Sequence, residues 1–248
     1  MSESILRLDN ISKRFHIYQQ QKTLFRLGKS LLGGEGLKKE LWALKDISFE
    51  VFRGEKIALL GRNGSGKTTL LRLIARIYQP TSGSIYTEEP FNALFHYGVG
   101  LNPYLPVIDN IYVLAAFYGI SVREISLKIE SIIQFSGLQK LMYVQTKDLS
   151  SGQTQRLLFS VFIHTEAKMI AFDESTAMAD MSFRKKASGY FEEKMKSDTT
   201  MVMASHDLLF VQKHCSRALW LEEGKVQALG PAEKVAEQYA HFCSKIES

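Results

Sequence analysis

The chain has little cysteine: Cys215 and Cys243 are the only two in 248 residues. Neither stands in a Cys-x-x-Cys or Cys/His cluster, so a disulfide framework and a finger-type zinc site are excluded, and a reducing cytosol is the simplest setting. Long apolar runs are also missing. The longest nearly apolar stretch, Ile111 to Val122, is about a dozen residues against the ~20 that span a bilayer. There is no block of five or more like charges, which removes the usual footprint of a nucleic-acid-binding tail. Met1 to Ser12 has no apolar stretch behind its charges, so no secretory signal is read there. Nothing repeats internally, and no tract is of low complexity.

What is present is ordinary for a folded soluble protein: 45% apolar and 23% charged residues. The length suggests one domain, or one core with a smaller subdomain. Lys plus Arg is 31 against 26 for Asp plus Glu, a net +5. That mild excess fits a phosphate-rich ligand, an anionic membrane surface, or neither.

Ile5 to Leu8 and Ala43 to Phe52 are rich in strand formers. They flank Gln19 to Glu40, a stretch that is polar and then carries Leu24, Leu27 and Leu31 at helical spacing before Gly33, Gly34 and Gly36. Both a basic amphipathic turn and a solvated insertion fit that stretch. Lys56 to Leu60 reads as a buried strand, Gly61 to Gly66 as a glycine-rich loop, and Lys67 to Tyr78 as a helix ending before Pro80. Thr81 to Ser84 reads as a turn. Pro106 to Gly119, Val122 to Ser136 and Ser151 to His164 read as helices, and Lys168 to Phe172 and Thr199 to Ala204 as buried strands. Arg217 to Gly230 reads as a hairpin turning at Glu222-Glu223-Gly224, and Pro231 is placed to open a last helix with Val235, Tyr239, Phe242 and Ile246 on one face. Strands alternating with helices, plus a mostly helical block near 101–165, predict an α/β parallel sheet with a helical insertion.

Gly61-Arg62-Asn63-Gly64-Ser65-Gly66-Lys67-Thr68 fits G-x-x-x-x-G-K-[ST]. A glycine-rich turn lets consecutive backbone N–H groups point inward as an anion nest, and the following helix adds the positive end of its dipole. Lys67 can reach the β- and γ-phosphates as a mobile charge. Thr68 offers a hydroxyl to Mg²⁺, and Thr69 another near the α-phosphate. The context, a buried strand before and a helix after, separates this from a glycine-rich β–α turn with a chance lysine.

Met169 to Phe172 is an apolar strand that ends in Asp173 and Glu174. Solvated acids at a strand end are common. Beside a phosphate loop, however, Asp173 is placed to hold Mg²⁺ and Glu174 to orient or deprotonate the attacking water, because phosphoryl transfer needs little beyond positioning and charge compensation. His206 follows a third buried strand, where a polar side chain can touch the γ-phosphate. Leu149-Ser150-Ser151-Gly152-Gln153 opens a helix. It reads either as a simple N-cap or as a second anion-binding helix start. In the second case a head-to-tail homodimer would explain why one chain carries two such devices.

In order and spacing, these segments resemble the nucleotide-binding subunit of ABC transporters over nearly the whole chain. The fold implied is a P-loop NTPase (RecA-like) α/β core with an antiparallel β subdomain and an α-helical subdomain. Residues 1–95 and 166–248 would form the first two and 96–165 the third. The resemblance implies ATP and Mg²⁺ as ligands, catalysis by Glu174, His206 and Lys67, and an aromatic, Phe15, stacked on adenine. It also implies Asp180 crossing a homodimer interface and Ser150, Ser151, Gly152 and Gln153 closing on the partner's nucleotide.

A narrower resemblance is to ATPases that drive O-antigen, capsule or teichoic-acid export. It rests on Trp42 to Phe49, Gly98 to Pro103 before Asp109-Asn110-Ile111-Tyr112, Met178 to Arg184, and Ala218 to Lys225. It implies a peripheral position on the cytoplasmic face of the inner membrane, an integral-membrane permease contacted between about Tyr97 and Tyr118, and a polysaccharide substrate handled mainly by that permease. No nucleic-acid partner is implied, and the added C-terminal sugar-binding domain of some members is not expected.

Three departures stand out. The signature has Ser151-Gly152 in place of Gly-Gly. Ser175 follows Glu174 where proline is usual. No glutamine lies between Ser82 and Ile133, leaving Asn102 as the nearest stand-in for the Q-loop glutamine. Two other classes compete. A soluble ABC ATPase acting on nucleic acid or ribosomes usually carries a long coiled-coil insertion or a second cassette. A binding module without turnover would not need Glu174 and His206.

Overall fold

The computed structural model describes residues 3–18, 38–94, 100–173 and 181–247. Positions 19–37 of the insertion, the sequence expectations at Glu174, Ser175 and Asp180, and the Tyr97 end of the expected permease surface lie outside the described residues.

In chain order the elements begin with strands β1 (Ser4–Tyr18), β2 (Lys38–Phe52) and β3 (Lys56–Leu60), helix α1 (Lys67–Ile74), and strands β4 (Ser82–Thr87) and β5 (Asn92–Leu94). Helices α2 (Val107–Phe117), α3 (Val122–Ser126), α4 (Ile129–Ser136) and α5 (Ser151–Ile163) follow. The chain closes with β6 (Met169–Asp173), α6 (Met181–Lys196), β7 (Thr200–Ala204), α7 (Leu208–His214), β8 (Arg217–Glu222), β9 (Lys225–Pro231) and α8 (Ala232–Glu247).

Among the described residues the strands form two sheets. One is antiparallel and 3-stranded, in the order β2-β1-β4. Along β2, Ile47, Phe49 and Val51 alternate inward, the period-2 pattern of a sheet with one covered face. The second sheet is 6-stranded, in the order β5-β6-β7-β3-β8-β9. It is parallel except for the antiparallel edge pair β8–β9. Its inner strands are almost continuously apolar, as strands covered on both faces must be.

Three apolar clusters hold the chain together. Leu70, Leu71, Leu73 and Ile74 of α1 fill the space between the two sheets. Phe159, Phe162 and Phe183 join Tyr239 and Ala236 of α8 on the other face of the parallel sheet. Val107, Ile111, Leu114, Ile132, Leu157 and Val161 make a separate helical cluster from α2, α4 and α5. No helix among the described residues is long and apolar enough to cross a membrane.

The structure corrects several element boundaries. Helix α1 stops at Ile74, not Tyr78. Arg76 adopts φ 56°; its N–H bonds Leu73 O at 3.0 Å, and the Ile77 N–H bonds Arg72 O at 2.9 Å. That pair of bonds is a Schellman stop with arginine at the usual glycine position. The expected turn at 81–84 is the start of β4, because Ser82 and Ser84 pair with Ser12 and Asp9 of β1. The expected helix 122–136 is two helices. Ser121 closes a capping box on Glu124, and the chain is redirected at Lys128, whose ammonium bonds His164 O at 3.0 Å. Pro231 is the last residue of β9, and α8 opens at Ala232. Val235 and Tyr239 are buried, whereas Ile246 is exposed.

Candidate functional site

β3 lies between β7 and β8, and the chain leaves its carboxyl end through 61–66 into α1. In an open parallel sheet this is where ligands bind. Gly61 (φ 144°) permits no side chain, since a Cβ there would lie 2.2 Å from Leu221 O. Gly66 (φ 108°) is the N-cap of α1 and brings no side chain to its first-turn N–H groups. The Ser65 N–H closes the turn on Arg62 O at 3.1 Å, and the Gly224 N–H at the β8–β9 tip backs the loop by donating to Ser65 O at 3.1 Å. Arg62, Asn63 and Gly64 form an exposed crest.

Lys67 is only 8% exposed, and its ammonium donates to Gly61 O at 2.5 Å and Arg62 O at 3.0 Å. Burial lowers its pKa from the usual lysine value, and the Asp173 and Glu222 carboxylates oppose that shift. One turn face away, Thr68 Oγ1 donates to Asp173 Oδ2 at 2.7 Å. A hydroxyl and a carboxylate in contact are hard oxygen donors that fit Mg²⁺, which commonly draws its other ligands from substrate phosphates and water. Among the described residues no three His, Cys, Asp or Glu side chains gather into an all-protein metal cage. Thr69 stands half-buried on the same first turn.

His206 sits just past β7, exposed, in a turn held at both ends. The Ser205 N–H bonds Leu59 O at 3.3 Å. The Asp207 N–H bonds Ser205 Oγ at 3.1 Å, and Asp207 Oδ1 accepts the Phe210 N–H at 2.9 Å to cap α7. The loop, Lys67, Thr68, Asp173 and the His206 turn therefore converge at the carboxyl ends of β3, β6 and β7. Phe15 of β1 lies against Tyr78, a residue that follows α1 in the chain.

Ser150 is the N-cap of α5. Its Oγ accepts the Gln153 N–H at 3.2 Å, and Gln153 Oε1 accepts the Ser150 N–H at 2.8 Å. Ser151 is exposed and Gly152 and Gln153 are half-buried on the same turn. This helix packs on α2, α4, α6 and β5, so the structure does not bring the signature onto its own phosphate loop. The capped hydroxyl still has its O–H to donate.

Several contributors were not identifiable as site residues in the sequence. Glu222, at the end of β8, has a buried Oε2 without a hydrogen-bond partner. Gly224 braces the loop. Asn110, fully buried, accepts the Asn102 N–H at 2.8 Å and donates to Asn102 O at 2.9 Å and Leu105 O at 3.0 Å. Asn102 itself spends its Oδ1 on the Tyr104 N–H at 3.0 Å. The contact of β8 with β3 would have signalled Glu222 and Gly224, but no local pattern encodes it.

The family model described as "ABC transporter" matches residues 44–177. The O-antigen export system ATP-binding protein RfbB of Klebsiella pneumoniae is 32% identical, across 96% of this chain and 98% of that protein. The teichoic acids export ATP-binding protein TagH of Bacillus anthracis is 33% identical across 97% of this chain, which spans 43% of TagH. Among solved structures, an ATP-binding subunit of an ABC transporter superimposes with TM-score 0.70 at 20% identity, covering 96% of this chain and 94% of that one. The dimeric post-hydrolysis ATP-binding cassette MJ0796 bound to ADP and Pi gives TM-score 0.67 at 20% identity, covering 92% and 98%.

Proposed function

The chain belongs to the ABC transporter family and is an ATP hydrolase of that family, and from that premise we propose that it is the ATP-hydrolysing subunit of an exporter of cell-surface polysaccharide. The observation that carries the hydrolytic half is the Thr68–Asp173 contact beside a buried, backbone-held Lys67. The exporter half is supported by relatives whose names specify O-antigen or teichoic-acid export and that align over nearly all of this chain.

In this reading the glycine-rich crest and the N-terminus of α1 hold the polyphosphate, and Lys67 turns its ammonium from Gly61 O and Arg62 O to the β- and γ-phosphate oxygens. Thr68 and Asp173 hold Mg²⁺. Bound there, Mg²⁺ supplies charge neutralisation of the phosphate oxygens. Glu174, the next residue along the chain from Asp173, orients the attacking water and takes its proton, and His206 supports the γ-phosphate from the end of β7. Phe15 stacks on the base. Ser150, Ser151, Gly152, Gln153 and Asp180 act in trans, so the working unit is a homodimer that sandwiches two nucleotides.

We read residues 1–95 and 166–248 as the α/β core with its β subdomain and 96–165 as the helical subdomain, with the surface up to Tyr118 facing the membrane permease at the cytoplasmic side. The test is purification from membranes in ADP and in a non-hydrolysable ATP analogue, with phosphate release measured for the parent and Glu174→Gln. Recovery of an integral-membrane protein and a large loss of hydrolysis are expected. Recovery of soluble proteins alone, or unchanged hydrolysis in the variant, would contradict the reading.

A further inference from the structure

The segment that follows the phosphate-loop helix is tied to β1 by hydrogen bonds and ring contacts. After the Schellman stop at Arg76, the N–H groups of Ile77 and Tyr78 both bond Arg72 O, at 2.9 and 3.1 Å. This turns the chain back and sets Tyr78 beside the helix it has just left. Arg72 Nη1 donates to the Tyr78 hydroxyl at 3.0 Å. The Tyr78 ring meets Phe15 at 5.5 Å between centroids and 71° between planes, an edge contact.

Lys13 lies over both rings, its Nζ 5.2 Å from the Phe15 centroid and 5.5 Å from that of Tyr78, while donating to Gln79 O at 2.7 Å. Two further bonds pin the strands together: Thr81 N–H to Ser12 O at 2.8 Å, and Arg14 N–H to Thr81 Oγ1 at 3.0 Å.

We propose that Tyr78 is a positioning residue for the nucleotide base: it fixes the Phe15 ring, and through Arg72 it ties that ring to the helix that carries the phosphate loop. The inference rests on the reading of Phe15 as the base platform. The physical reasoning is one of pre-organisation. Phe15 is only half-buried on a strand of the antiparallel sheet, and the phosphate loop belongs to the other sheet. A base and a polyphosphate bind as one ligand, so free movement of one half relative to the other would be frozen on binding and cost affinity. The α1 helix, about 12 Å long, is the rigid rod between the two halves, and Tyr78 is the side chain that couples its tail to Phe15. The hydroxyl bond to Arg72 orients the ring. The ring edge does the positioning.

The test compares the full chain with Phe15→Ala, Tyr78→Leu, Tyr78→Met and Tyr78→Phe, using ATP turnover and inhibition by inorganic tripolyphosphate, which has no base. Tyr78→Leu is expected to raise the KM for ATP about three- to tenfold, the size of a lost aromatic edge contact. Its kcat should stay within about twofold, and tripolyphosphate inhibition should not change. Tyr78→Phe loses the hydroxyl bond but keeps the ring, the main-chain bond to Arg72 O at 3.1 Å and the Arg72 guanidinium 5.5 Å from the ring centroid, so it should restore KM to within about twofold of the parent. Tyr78→Met fills a similar volume without a ring edge, should match Tyr78→Leu, and replaces it if that variant does not fold.

If Phe15→Ala raises KM and neither Tyr78→Leu nor Tyr78→Met does, the inference is overturned and the base-platform reading stands. It is also overturned if the Tyr78 variants weaken tripolyphosphate as much as ATP, because Tyr78 would then only brace the loop. If Phe15→Ala leaves KM unchanged, the base-platform reading fails and takes this inference with it.

Discussion

Thr68 Oγ1 lies 2.7 Å from Asp173 Oδ2 although the two residues stand 105 positions apart. One comes from the first turn of α1 and the other from the carboxyl end of β6. Only the parallel register of β6 with β7 and β7 with β3 brings them together. The hydroxyl donates to the carboxylate, so the two oxygens that the proposed Mg²⁺ site needs are already held together.

Asp173→Asn should therefore raise the Mg²⁺ concentration needed for half-maximal ATPase activity about 10–100-fold, the range seen when a group that holds or orients a metal is neutralised. A Mg²⁺ titration at fixed ATP measures it. An unchanged Mg²⁺ requirement would remove Asp173 from the metal site.

Lys67 combines two opposing effects. Burial disfavours its charge, while Gly61 O and Arg62 O hold it. Lys67→Met should lower ATP affinity about 10–100-fold, the size of one or two lost charge-assisted hydrogen bonds. Nucleotide titration of the parent and the variant measures it.

Arg76 occupies the left-handed region at φ 56° to close the α1 stop. Arg76→Gly relieves that conformational cost and should stabilise the fold by about 0.5–1 kcal/mol. Urea unfolding with an unchanged slope is the check.

Asn110 is fully buried and gathers the 102–106 loop by bonds to both main-chain groups of Asn102 and to Leu105 O. Asn110→Ala takes the acceptor from the Asn102 N–H, while Asn102 O keeps the Thr146 hydroxyl and Leu105 O keeps the Thr146 N–H, and should destabilise by about 1–3 kcal/mol. The same urea unfolding, read as a lowered midpoint, tests it.

The two thiols differ in reach. Burial pushes the Cys215 thiol up to about 12, and it packs against Met203. Below that value the folded state holds the proton that an unfolded chain releases near the ordinary thiol pKa. The stabilisation is therefore complete at neutral pH and lost as pH rises from about 8.5 toward 12. At pH 8, a maleimide should label Cys243 in the native protein and reach Cys215 only on unfolding, as peptide mapping would show.

The sequence carried the loop at 61–68, the strand ending at Asp173 and the helix opened by Ser150, because each is a local pattern that one element satisfies by itself. It carried the parallel sheet for the same reason: apolar strands such as 56–60 and 200–204 announce burial on both faces. Helix α6 has a local pattern too, since Phe183, Ala187, Tyr190, Phe191 and Met195 recur at helical spacing.

The early stop of α1 was less visible. Apolar spacing continues through Ile77 and Tyr78, and arginine is a poor cue for a left-handed cap. β4 was hidden because Thr81-Ser82-Gly83-Ser84 has turn composition, and only pairing with β1 makes it a strand. Glu222, Gly224 and Tyr78 take their places through contacts made across more than a hundred residues or around a helix end, and no local composition records those.

Ser150 is both the cap of α5 and, in the proposed dimer, a phosphate donor. Ser150→Gly separates the two roles, because glycine replaces a serine cap at a cost of only a few tenths of a kcal/mol. The most direct measurement is sedimentation of Glu174→Gln, alone and combined with Ser150→Gly, with and without MgATP. A nucleotide caged between two facing copies predicts that MgATP converts the first variant from monomer to dimer and leaves the second monomeric. A chain that stays solitary in MgATP while the parent hydrolyses at full rate, indifferent to Ser150, would contradict it.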